Sequence, residues 1–187
     1  MTDQNSLRYW VDEAIRSLGY VKADAAPKLC ELIASDPHAS DKSISTAYRK
    51  SGTQLSAEGK KALGLRANAF MTEEALADLT EKGRECALIA HEATMRRAAF
   101  ALKHAENMAK EKSLGVTKWE AVAPATDQCP GCKRLDGQVM CADDISPTGP
   151  HDCSRDACAI IYTPIIDENF MSQDRKEPSP KPWWKFW

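Results

Sequence analysis

Five of the chain's seven cysteines fall between Asp127 and Tyr162, in DQCPGCKRLDGQVMCADDISPTGPHDCSRDACAIIY, with one of its four histidines. That many thiols in so short a segment must be bridged, bound to metal or packed, and each outcome restricts the fold. Seven is an odd number, so a complete disulfide framework would leave one over. The opening MTDQNSLRYW has no basic stretch leading into an apolar one, so a secretory signal is not expected. No apolar run approaches the ~20 residues that span a bilayer. The expected setting is cytosolic, where thiols stay reduced, and metal binding becomes the first explanation of the cluster.

The spacing supports a structural zinc site. Cys129 and Cys132 form CPGC, read as a tight loop whose two thiolates can grip one Zn²⁺ at ~2.3 Å. Cys153 and Cys158, with four residues between them, make a second pair. The expected ligands are Cys129, Cys132, Cys153 and Cys158, with His151 replacing one of the last two as the alternative. Only one residue separates His151 from Cys153, which makes it hard for both to ligate at relaxed geometry. Four filled positions leave no room for a catalytic water. Cys141 fits neither pair and reads as a spare thiol. Two blander readings compete. CPGC as a redox pair is disfavoured, because the motif reads as a loop before a hairpin and not as a helix start. The thiols could also merely pack, the metal having been lost.

Hydrophobic periodicity predicts a mostly helical chain with a small α+β module held by the Cys/His site. SLRYWVDEAIRSLGY carries a Ser6 cap signal, apolar residues from Leu7 to Leu18 at helical spacing, and a stop at Gly19. In ADAAPKLCELIASDP, Pro27 suits a first turn and Leu29, Leu32 and Ile33 face inward, with Cys30 read as a buried small hydrophobe. SISTAYRKSG and SAEGKKALGLRANAF suggest shorter helices. From Thr72 the pattern predicts one long helix, or two joined near Gly83, running to Gly115, with Leu88, Ile89, Met95, Phe100 and Leu102 toward other helices. VTKWEAVA alternates as a strand does, Asp136-Gly137 marks a hairpin turn, and ACAIIYTPII is a β-rich run closed at Pro164. The expected organisation is an N-terminal helical region, 1–70, the cysteine-bearing module, 71–166, and a Pro-rich tail, 167–187, expected to be flexible.

Residues 84–166 resemble the C-terminal domain of phage head morphogenesis proteins, the family typified by the minor head protein F of phage Mu. Trp119, Asp127, Cys129, Cys132, Leu135, Asp136, Gly137, Pro150 and His151 carry the match. They follow the family's order of a helix, a Gly before a Trp-bearing strand, Asp then Cys-x-x-Cys, LDG, and a Pro/His/Cys cluster before a last strand. The family usually has His-Pro-x-Cys-Arg-Cys where this chain has HDCSRDAC, with a longer gap between its cysteines. The resemblance implies a phage or prophage structural protein without catalytic chemistry. It would act in capsid assembly or DNA packaging beside other head or portal proteins, in the bacterial cytoplasm or the virion. The rivals are a zinc-dependent nuclease or toxin reusing the module, and a zinc-stabilised adaptor.

A formal net charge of -2 predicts no bulk attraction to nucleic acid or an acidic membrane. The basic surplus between Arg84 and Lys118 is a weak hint of DNA or an acidic partner. His91 and Glu92 point about 100° apart on a helix and read as a solvated surface, not as a catalytic pair. A nuclease of the His-Asn-His type would have only His151 with Asp152 to draw on. The ending PWWKFW gathers Trp183, Trp184, Lys185, Phe186 and Trp187 behind a Pro-rich spacer. Its expected role is an aromatic anchor for a protein partner, with docking on its own domain or a membrane interface as alternatives.

Overall fold

In the computed structural model, Leu7, Val11, Ala14, Ile15 and Leu18 line the buried side of α1 (Gln4–Leu18). The structure describes residues 4–36, 39–124, 129–150, 153, 158 and 160–166. α1 begins before Ser6, which therefore lies inside the first turns and not at the cap. Gly19 ends it at φ 67°, a left-handed conformation that glycine adopts without a Cβ penalty. In α2 (Ala26–Ser35), Pro27 occupies the first turn and Leu29 is buried. Cys30, expected to be buried, is only half-buried, at the rim of a groove between α1 and α2 that Leu7 and Pro27 also line. Burial raises its thiol pKa.

Four of the next helices start on a hydroxyl. Ser40 caps α3 (Asp41–Lys50), Ser56 caps α4 (Ala57–Ala62), Thr72 caps α5 (Glu73–Ala77) and Thr80 caps α6 (Glu81–Glu85). In each, the side-chain oxygen accepts a backbone N–H that has no partner within the helix. α7 (Ala90–Ser113) then runs 24 residues, about 36 Å at 1.5 Å per residue. The segment expected to be one or two helices is thus three, and Gly83 is inside α6 and not at a joint. A Cβ on Gly83 would overlap the Tyr20 carbonyl, so glycine lets α6 sit directly on that strand of backbone. Thr80 Oγ1 donates to the Gly19 carbonyl at 2.6 Å and Lys82 Nζ to the Leu18 carbonyl at 2.7 Å, fixing α6 to the end of α1.

α1 packs along α7 and α2, and α3 packs on α7. Alanines at 14, 90 and 98 are fully buried and allow these helices to approach closely. Met71, Leu79, Met95 and Leu102 complete this first core. It draws on residues from both sides of position 70. Met95 and Leu102 face inward as expected, but Leu88 and Ile89 are exposed in the turn before α7.

A second core follows α7. β1 (Lys118–Val122) is the centre of a three-stranded antiparallel sheet of order β2-β1-β3, with β2 at Val139–Cys141 and β3 at Ile161–Pro164. Strand alternation turns Trp119, Ala121 and Tyr162 inward, where they pack with Val116, Ile145 and Ile160. Trp119 pairs with Met140 on one side and Pro164 on the other. α7 supports the sheet from beneath. Met108 packs on this core, and His104 meets the Tyr162 ring edge to face at 5.9 Å. Among the described residues, no helix is long and apolar enough to cross a membrane.

Candidate metal centre

The Cys-x-x-Cys motif opens a helix, contrary to its reading as a loop before a hairpin. Cys129 is the cap of α8 (Pro130–Leu135), with extended backbone at φ -73°, ψ 159° and its Sγ accepting the Cys132 N–H at 3.3 Å. Pro130 suits the first helical position, because its missing N–H would have found no partner there. One ground for setting aside a redox pair therefore falls. What argues against it now is the environment of Cys132: burial, then the Cys129 and Cys158 sulfurs, push its thiol pKa up, the reverse of an activated thiol.

Asp136 and Gly137 act as a joint between α8 and the sheet, not as a turn between two paired strands. Asp136 Oδ1 accepts the Ala123 N–H at 2.8 Å, and the Gly137 N–H reaches the Ala121 carbonyl at 2.7 Å. Gly137 takes φ 74° to turn the chain into β2. These bonds fix α8, and with it both sulfurs of the motif, against the end of β1.

The second half of the site comes from the segment before β3. The sulfurs of Cys129, Cys132 and Cys153 all lie within 4.8 Å of one another. Cys158 Sγ is 3.4 Å from Cys132 Sγ. Cys129, Cys132 and Cys158 are buried, and Cys153 is half-buried. Gly149 makes room for this meeting. It sits at φ 84°, and a Cβ there would overlap both Cβ and Sγ of Cys158. The Cys153 N–H donates to the Pro150 carbonyl at 2.9 Å, holding the turn that brings this thiol back. The structure thus gathers three of the four cysteines expected as ligands, Cys129, Cys132 and Cys153, into one cluster, and sets Cys158 beside Cys132. His151 lies outside the described residues, as do residues 183–187 of the tail. Cys141 is exposed on the sheet and is not among the clustered sulfurs.

This buried cysteine cluster could hold a metal ion. Its donor set is soft sulfur, which suits zinc, and none of the seven cysteines is in a disulfide. Burial, with the Cys158 and Cys132 sulfurs nearby, also pushes the Tyr162 hydroxyl up to about 12.

A second polar cluster was not foreseen. His91, expected on a solvated surface, is fully buried, and among the described residues neither ring nitrogen has a hydrogen-bond partner. Its ring meets Tyr48 edge to face at 5.3 Å, and Nε2 stands 4.0 Å from Asp78 Oδ2, which accepts the Tyr48 hydroxyl. Burial, with Arg49 and Lys28 nearby, pushes the imidazole down to about 4. The signal was present in the sequence: positions 91, 95, 98 and 102 form one helical stripe. Arg97, counted in the basic surplus of this helix, is also buried and adds little to a basic surface.

Compared with protein-family models, curated proteins and solved structures, the chain matches none.

Proposed function

We propose that this chain is a zinc-stapled structural protein of the head morphogenesis kind, with Cys129, Cys132, Cys153 and Cys158 as the ligands. The supporting observation is the cluster of the Cys129, Cys132 and Cys153 sulfurs, drawn from two segments of chain, with the Cys158 sulfur 3.4 Å from that of Cys132. Sulfurs held at ~2.3 Å around one zinc stand ~3.8 Å from each other, and those of Cys129, Cys132 and Cys153 lie within 4.8 Å of one another. Bound zinc would cross-link the start of α8 to the segment preceding β3. The sheet module has reason to need this link. Its core is small, and modules near ~40 residues usually depend on a metal, disulfides or association.

The resemblance over residues 84–166 supports a role in capsid assembly or DNA packaging, with portal or other head proteins as partners and the bacterial cytoplasm or virion as setting. A tetrathiolate zinc has no open position to activate water, which favours this reading over a nuclease or toxin.

Elemental analysis of purified protein tests the site. About one zinc per chain is expected for a single tetrahedral centre, with a lower melting temperature after chelation. A metal-free preparation that melts as before would remove the proposal. The head-assembly role is tested separately by the neighbouring genes: portal, terminase and head-protease genes support it, and an isolated gene overturns it. Metal-dependent DNA cleavage would promote the nuclease.

A further inference from the structure

The sheet covers α7 with one face and leaves the other open. On that outer face Val122, Val139 and Ile161 are 41%, 58% and 57% exposed, and Ile165, just past β3, is 39% exposed. The register places Val139 and Thr163 on either side of Glu120, and Ile161 beside Val122. An antiparallel sheet with one solvated face normally carries polar residues there. Here Lys118, Glu120 and Thr163 share the face with exposed valine and isoleucine, whose apolar patch is suited to being covered.

Size and connectivity point to the occupant. Strands of five, three and four residues, with alternate side chains outward, fall far short of the ~20–30 residues a side of a stable interface. A second copy of the chain would gain too little from this face alone. A tethered segment needs less area, because its local concentration reaches the millimolar range. The chain continues past Ile166, at the border of the face, into residues 167–187. A spacer of about 16 residues spans ~20 Å as a coil and up to ~50 Å as polyproline. The face measures only ~10 Å by ~17 Å, so the aromatic stretch comes within reach. The chemistry also corresponds: Lys185 stands amid four aromatic residues, and Glu120 offers it a carboxylate beside Val122 and Val139.

We propose that residues 183–187 dock in cis on the outer face of the sheet, their rings against Val122, Val139 and Ile161 and Lys185 opposite Glu120. The proposal gives the tail an intramolecular partner in place of a separate protein, and it does not depend on the zinc reading.

Cys141 makes this testable, since it is exposed on the same face, in register with Lys118. Full-length protein carrying Trp187→Cys is mildly oxidised, and every resulting disulfide is mapped by mass. A disulfide within one chain between Cys141 and the thiol introduced at position 187 should form at least about tenfold faster than links from position 187 to any other cysteine, reflecting the raised local concentration. Adding Val122→Asp and Ile161→Asp, both at exposed positions, should abolish that preference. Links between chains would make a second copy the occupant and overturn the proposal. So would comparable rates to other cysteines, or no link together with tryptophan emission that shifts only on adding anionic vesicles.

Discussion

The indole Nε1 of Trp119 donates to the carboxylate of Glu111 at 2.6 Å, joining the middle of the sheet to the last turns of α7. Trp119 is fully buried, so this N–H relies on Glu111 as its acceptor. Glu111→Ala should cost about 1–3 kcal/mol, the penalty for an unsatisfied buried donor. Glu111→Gln keeps an oxygen in place and should cost less. Thermal melts followed by tryptophan fluorescence separate the two, and equal melting of Glu111→Ala and the parent would show that the bond contributes nothing.

Cys129→Ser should lose most of the zinc and melt well below the parent. It removes a thiolate and also the sulfur that caps α8, and a serine oxygen can restore only the cap. Cys141→Ser should change neither metal content nor melting temperature. Equal damage at both positions would place a ligand at Cys141.

Gly149→Ala should impair the same site without touching a ligand. The new methyl group meets Cys158 in a backbone conformation that alanine rarely adopts. The expected result is a loss of zinc affinity of at least about tenfold, measured by chelator competition, since displaced supporting groups cost 10–100-fold in metal sites.

His91 predicts acid sensitivity in the helical core. Its folded pKa of about 4 lies below the unfolded value of 6.5. The unfolded chain therefore binds the extra proton first. Stability is fully present above pH 6.5 and falls progressively as the pH drops toward 4, by about 3 kcal/mol in total. Below that both states are protonated and the loss stops growing. The other titratable and charged groups of this cluster, Asp78, Tyr48, Arg49 and Lys28, are unchanged in His91→Leu, so that variant should flatten the stability profile between pH 6.5 and 4. Denaturant titrations across this range decide the matter, and an unchanged slope would mean another group titrates.

Much of the fold was legible because periodicity reports burial directly. The stripes of α1 and α7 and the alternation of VTKWEAVA needed only their own side chains to be read. The cysteine cluster was legible as well, since cysteine has few other reasons to recur at such spacing. What the sequence concealed depends on neighbours distant in the chain. Gly83 looks like a helix break until the Tyr20 carbonyl is seen beneath it. CPGC looks like a loop until Cys129 is found capping its own helix. Asp136-Gly137 has hairpin chemistry, but β1 takes its hydrogen bonds and leaves α8 on one side of the turn. His91 was misread because a histidine next to a glutamate suggests solvent, whereas its helical position is set by Met95 and Leu102.

The first core is complete within residues 7–102, whereas the cysteine cluster draws on Cys153, far later in the chain. During synthesis the helical part therefore has all its contacts while the ribosome is still adding the second half of the site. Domains that fold from the N-terminus during translation follow such an order. α7 would leave the ribosome with its first half already seated and its second half bare, a finished platform on which the sheet is laid down. The thiols would close last, which makes them a checkpoint for whether the segment before β3 has reached its place.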